Sequence, residues 1–144
     1  ILVGYRWHDT KKVPALFPFG HGLSYTTFTY GKPVASAKAM AADGMLTVTV
    51  AVKNTGSIAG KEIVQLYVGD DKCSVLRPVK ELKHFAKVAL APGEERNVTF
   101  TLTPDDLKFY DEASAAWKYE PGKFKAYVCA SSADVRGVVS FEMQ

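Results

Sequence analysis

From residue 46 onward, apolar residues return at every second position. Leu46, Val48, Val50 and Val52 alternate with Thr47, Thr49, Ala51 and Lys53. That period of two, rich in β-branched residues, predicts a half-buried strand. Val98, Phe100 and Leu102 alternate in the same way with Asn97, Thr99 and Thr101, and Phe124, Ala126, Val128 and Ala130 with Lys123, Lys125, Tyr127 and Cys129. Residues 62–68 are apolar on nearly both parities, as expected of a central strand. Residues 80–90 read as a further extended stretch and 138–143 as a last strand. Turn chemistry separates these runs: Asn54-Thr55-Gly56-Ser57, Asp70-Asp71, Pro92-Gly93 and Pro121-Gly122. Pro104-Asp105-Asp106-Leu107 has proline and acids where the first turn of a helix favours them.

The pattern amounts to seven or eight short strands with turns about every 8–12 residues and no helix longer than a turn. It predicts an all-β fold, an antiparallel β-sandwich of immunoglobulin-like or fibronectin type III-like kind, over residues 25–144. The Cys…Trp…Cys spacing of true immunoglobulin domains is absent.

Residues 1–24 follow another rule. Gly4, Pro14, Pro18, Gly20 and Gly22 are interleaved with Tyr5, Trp7, Phe17 and Phe19. Glycine and proline at this density argue against a long helix or a central strand. The rings are too apolar for a free linker. An extended tether that buries its aromatics against a surface is expected, with part of that surface outside this chain.

Composition narrows the function classes. Of 144 residues, 47% are hydrophobic and 23% charged, with a net charge of +3. This is globular composition, with one domain's worth of core. The positive charge is mild and spread along strands, as in Lys123-Phe124-Lys125, so no nucleic acid partner is expected. No apolar run reaches the length of a membrane span, so no membrane partner is expected either. The chain opens Ile1-Leu2-Val3-Gly4 and reads as the interior of a longer polypeptide. The missing leader therefore leaves the compartment of any parent protein open. Two cysteines cannot make a disulfide scaffold. Cys73 lies in a polar turn and Cys129 has the parity of the outward lysines, so two unpaired thiols are expected, with Cys129 pointing away from the core.

A catalytic constellation is hard to find. Glycoside hydrolysis needs two carboxylates at fixed separation, one of raised pKa. The acids here, Asp43, Asp70, Asp71, Glu94, Glu95, Asp105, Asp106, Asp111 and Glu112, fall in turns where water holds them near ordinary values. His8, His21 and His84 have no metal-ligand spacing, so neither a metal nor another cofactor is expected. Ser24 lacks the second glycine of a nucleophile elbow, and Gly20-His21-Gly22 lacks the lysine of a phosphate loop. Asn97-Val98-Thr99 meets the glycosylation sequon but sits mid-strand. Two aromatics keep sugar binding open: Trp117 and Tyr119 share a parity and could form a flat stacking platform, or Trp117 could pack over the sandwich edge.

Longer stretches carry a family resemblance. Gly4-Tyr5-Arg6-Trp7-His8-Asp9-Thr10, followed by residues 16–28 (LFPFGHGLSYTTF), resembles the C-terminal region of family 3 glycoside hydrolases, the β-glucosidase and β-xylosidase family. There the run joins an α/β domain to a fibronectin type III-like domain. Residues 62–68 (EIVQLYV), 77–85 (RPVKELKHF), 90–94 (LAPGE), 107–111 (LKFYD), Trp117 and 121–124 (PGKF) follow in family order. His84 departs from the pattern, standing where glycine is usual, so that position needs no positive φ here.

The resemblance implies a retaining parent enzyme for terminal β-linked sugars, a β-glucosidase or β-xylosidase, whose aspartate nucleophile and glutamate acid/base lie on other domains. Neither motif occurs in this chain, which is then expected to be non-catalytic and to stabilise and position the catalytic domains. Its partners would be those domains and, in the alternative reading, β-linked glycans. Tyr5, Trp7, Phe17 and Phe19 would dock on the preceding α/β domain, each large buried ring being worth about 1.5–3 kcal/mol. His21, or Phe19, would approach the substrate on its leaving-group side. The parent's compartment stays open among periplasmic, secreted and cytoplasmic.

Overall fold

A computed structural model describes residues 1–144. A short helix α1 (Tyr5–Lys11) precedes three small strands, β1 (Phe28–Tyr30), β2 (Val34–Ala35) and β3 (Ala39–Met40). The long strands β4 (Leu46–Asn54), β5 (Gly60–Asp70), β6 (Glu81–Leu90) and β7 (Glu95–Leu102) follow. After a helical turn α2 (Pro104–Leu107) come β8 (Phe109–Asp111), β9 (Ala116–Lys118), β10 (Gly122–Cys129) and β11 (Val135–Met143). The expected sandwich is present. Strands outnumber the expected seven or eight because β2, β3 and the β8–β9 hairpin are too short to leave a period in sequence.

In one sheet β4 is central: β7 pairs with it antiparallel from Leu46↔Leu102 to Lys53↔Glu95, while β1 and β2 add antiparallel pairs. The other sheet runs β3-β11-β10-β5-β6, antiparallel throughout except where β3 pairs parallel with β11. The inward parity of each long strand meets between the sheets. Val48, Val50 and Val52 of β4 face Val64, Leu66 and Val68 of β5 and Phe124, Ala126 and Val128 of β10 in one buried cluster. Phe124 stacks on Phe141 at 5.7 Å. Phe124 and Leu66 are almost entirely withdrawn from water, so each contributes about 1.5–3 kcal/mol by apolar burial.

The polar Asn54 at the end of this core is fully satisfied. The buried Asn54 side chain accepts from the Thr26 hydroxyl at 2.6 Å and from Gly56 N–H at 3.0 Å, and donates to the carbonyls of Ile58 and Leu90. A Cβ on Gly56 would lie 2.2 Å from Thr26 Oγ1, so this turn requires glycine. The bonds tie the β4–β5 turn to the point where the N-terminal segment enters the sandwich. The helical turn α2 is closed by a capping box, Thr103 N–H donating to Asp106 at 2.8 Å.

Three expectations need correction. Helix α1 gives seven helical residues to a segment expected to be extended. Gly4 and Pro14 bound a stretch free of breakers, and Lys12 closes the helix in the left-handed region at φ 55°. Cys129 does not face water; it is fully buried, because its outward parity lies beneath other chain. Finally, not all the turn acids are solvated. Asp111 is buried and accepts from Ser114 while pairing with Lys118 at 2.9 Å, and the Asp70 side chain is closed off beneath Arg77.

Candidate functional site

The outer face of the five-stranded sheet carries Gln65 and Tyr67 on β5 and Cys129 on β10, with Lys80 beside them, all buried. The N-terminal segment covers them. The Tyr5 ring meets Tyr67 edge-on at 5.5 Å and Phe19 at 5.3 Å, and its hydroxyl accepts from Leu82 N–H at 2.8 Å. Asp9 pairs with Lys80 at 2.5 Å, and Lys80 lies 5.4 Å over the Tyr67 ring. Thr10 accepts from Val79 N–H at 3.2 Å, and Arg6 lies 3.5 Å from Glu81. Farther along, Ser132 N–H donates to the Phe19 carbonyl at 2.8 Å.

Gly20 makes the closest approach. Its φ is +79°, and an added Cβ would come 2.2 Å from Gln65 Nε2. Glycine is therefore demanded twice there, by backbone conformation and by space. The Gln65 amide cannot easily move aside, since it donates to Ala130 O at 3.2 Å and accepts from the Tyr67 hydroxyl at 2.5 Å.

Burial sets the chemistry of this layer. It pushes the Tyr67 phenol above its ordinary value and the Cys129 thiol up to about 12, so both stay protonated. A protonated, enclosed thiol is a packing group and not a nucleophile. Cys73 is also a free thiol, half-buried in the loop after β5.

While one side of the N-terminal segment is fastened, the other is bare. Leu16 is 90% exposed, Phe17 73%, Leu23 94% and Tyr25 98%. Trp7 and Phe19 are also substantially open, and Phe17 lies 5.9 Å from the His21 ring. Of the aromatics expected to dock, Tyr5 packs on this sandwich, whereas Trp7, Phe17 and Phe19 present ring surface outward. His21 lines an open cleft of about 700 Å³ together with Ser24, Lys61, Glu62, Asp134 and Arg136. Asp134 in that cleft is tied to Arg136 at 2.7 Å. Burial raises Glu62, whose carboxylate accepts Ile63 N–H.

Trp117 and Tyr119 part company. Trp117 is exposed on β9 and meets Tyr110 edge-on at 5.7 Å and 72°, while Tyr119 packs against the core cluster. The two do not share a flat face. Trp117 instead borders a groove with Val75, Leu76, Arg77 and Tyr110.

Sequence reasoning missed Asp9, Gly20, Gln65, Tyr67 and Lys80 as members of one assembly. The signal was the lack of alternation in β5: a strand buried on both parities needs cover on both faces.

Residues 62–132 match the fibronectin type III-like domain family. The chain is 65% identical over 142 residues to a β-glucosidase of Bacteroides ovatus, covering 99% of this chain and 19% of that protein. It is 50% identical over 135 residues to the thermostable β-glucosidase B of Acetivibrio thermocellus, covering 94% and 18%. Among solved structures, the β-glucosidase of Kluyveromyces marxianus superposes with a TM-score of 0.92 at 39% identity, over all of this chain and 18% of that one. The GH3 β-glucosidase of Bifidobacterium adolescentis gives 0.92 at 36%, over 99% and 21%. The chain thus spans about a fifth of the length of these relatives. Together with the two-sheet sandwich, these likenesses mean that residues 62–132 carry a fibronectin type III-like domain and that the chain is similar to the corresponding region of these β-glucosidases.

Proposed function

We propose that this chain is the non-catalytic C-terminal module of a family 3 β-glycosidase, a β-glucosidase in the first instance, and that it stabilises and positions the catalytic domains. The parent would hydrolyse terminal β-linked sugars with retention, using groups on its other domains. The observation that carries this reading is the two-sided N-terminal segment. Its inner side is bonded to the sandwich through Tyr5, Asp9, Thr10 and Gly20, while Leu16, Phe17, Leu23 and Tyr25 project outward without cover. Apolar surface left open in this way calls for a partner surface. The relatives' additional length supplies the chain from which such a partner would come.

The test is made in the full-length parent. Phe17→Ser with Leu16→Ser should lower its melting temperature and solubility, with substrate preference among aryl β-glycosides unchanged. A parent that keeps its full melting temperature with both residues replaced, or without residues 25–144, would end the proposal. Hydrolysis of an aryl glycoside by the isolated chain would end it as well.

A further inference from the structure

Where β5 runs out, three side chains from distant parts of the sequence converge. One ligand atom each from Asp70, Cys73 and Glu120 lies within 4.8 Å of the other two. We propose that these residues form a site for a borderline divalent cation of the Zn2+ class, with water completing a tetrahedron.

The first support is Asp70. Its side chain is 3% exposed, and Oδ1 accepts Lys72 N–H at 3.0 Å. Oδ2 is shut off from water and has no hydrogen-bond donor. The nearest cation, Arg77, stands 3.6 Å away and gives its hydrogen bonds to Leu107 O at 3.0 Å and Glu81 at 2.9 Å. The guanidinium thus balances that oxygen's charge from 3.6 Å without a hydrogen bond, and a bound cation would supply the direct contact it lacks.

Glu120 and Cys73 add the second and third ligands. Glu120 is fixed by Ser74, whose N–H donates at 2.9 Å and whose hydroxyl donates to the other oxygen. Cys73 stands in the loop after β5, a half-buried free thiol whose sulfur is one of the three clustered ligand atoms.

Geometry and charge agree. Zinc–sulfur and zinc–oxygen bonds place tetrahedral ligand atoms about 3.3–3.8 Å apart, and the three here already lie within 4.8 Å of one another. Two carboxylates and a thiolate against the Arg77 guanidinium leave two net negative charges, matched by one dication. The thiolate favours zinc or cadmium over magnesium or calcium. On binding, the Cys73 sulfur–hydrogen bond breaks, its proton passes to buffer, and the metal–sulfur bond forms with no redox change. The bound ion would pin the loop after β5 to the chain entering β10.

The test uses the purified chain, without a histidine tag and after chelator treatment. Added Cd2+ should produce thiolate-to-metal charge-transfer absorbance at one equivalent. Zn2+ should bind with a micromolar or tighter Kd, release a proton and raise the melting temperature. Cys73→Ser should abolish the absorbance, and Cys73→Ser, Asp70→Asn or Glu120→Gln should each weaken Zn2+ binding about tenfold or more. Cys129→Ala should change none of this. No absorbance in the unaltered chain, a signal that survives Cys73→Ser, loss of the signal in Cys129→Ala, or Zn2+ binding only at millimolar concentration (an adventitious ion only) would each overturn the site. Glu120→Gln remains informative if Cys73→Ser lowers folding yield, since it leaves the thiol in place.

Discussion

The outer faces of the two sheets are built from the same alternating pattern and meet different fates. On the β4–β7 sheet, Thr47, Thr49 and Lys53 stand beside Asn97, Thr99 and Thr101, and water covers them; Thr49 and Thr99 share a hydroxyl hydrogen bond at 2.9 Å. On the β5–β10 sheet, the equivalent parity carries Gln65, Tyr67 and Cys129, buried beneath the segment at the start of the chain. One face is finished by solvent and the other by polypeptide. Strand alternation predicts which residues leave the core, but it does not say whether they reach water.

Substitutions on the shared inner core set the upper bound for this comparison. Phe124→Ala should destabilise the chain by about 3–5 kcal/mol in urea unfolding, because it opens a cavity beside Phe141. On the covered face, Lys80→Ala strands Asp9 in a largely enclosed site and should cost about 2–3 kcal/mol. Hydrogen exchange should then show α1 opening more often than β4. Gly20→Ala combines the positive φ with the clash against Gln65 and should cost about 1–2 kcal/mol. On the solvated face, Thr99→Ala should lie within about 0.5 kcal/mol of the parent chain. Equal losses for Lys80→Ala and Thr99→Ala would mean that the N-terminal cover contributes nothing.

Acid should act with opposite signs on two carboxyls of the five-stranded sheet, Glu81 on β6 and Glu62 on β5. Burial opposes ionisation of Glu81, but Lys83, Arg77 and Arg6 outweigh it and hold the carboxyl below its ordinary 4.5. A depressed carboxyl contributes stability that is present above the unfolded value and lost as pH falls through the folded one. Glu62, raised by burial, has the opposite sign: its ionisation opposes folding, and that penalty is relieved in acid. A pH series of urea midpoints should therefore fall below pH 4.5, and Glu81→Gln should flatten that fall while Glu62→Gln steepens it.

Much of the sandwich was legible because each long strand must hide one parity. The turns at Asn54, Pro92 and Pro121 and the helical turn at Pro104 also stand where their residue chemistry puts them. What escaped depends on contacts distant in sequence. Cys129 had the parity of exposed lysines, and nothing near it announced that Asp9 and Lys80 would close over it. Helix α1 escapes because glycine and proline are dense over residues 1–24 as a whole, although the run between Gly4 and Pro14 is free of both. Glu120 stands 46 residues beyond Ser74, so no local spacing could bring it to Cys73. The Trp117–Tyr119 parity argument failed as geometry because β9 ends at Lys118, after which Tyr119 turns to the core.

The fastening of the N-terminal segment has a mechanical corollary. Its anchors, from Tyr5 to Phe19, are strung along the surface of the β5–β10 sheet, so a tug on the segment loads them side by side and not one after another. Within this chain the segment is therefore a bracket and not a hinge: a force on it spreads over the sheet before it arrives at the Thr26–Asn54 junction.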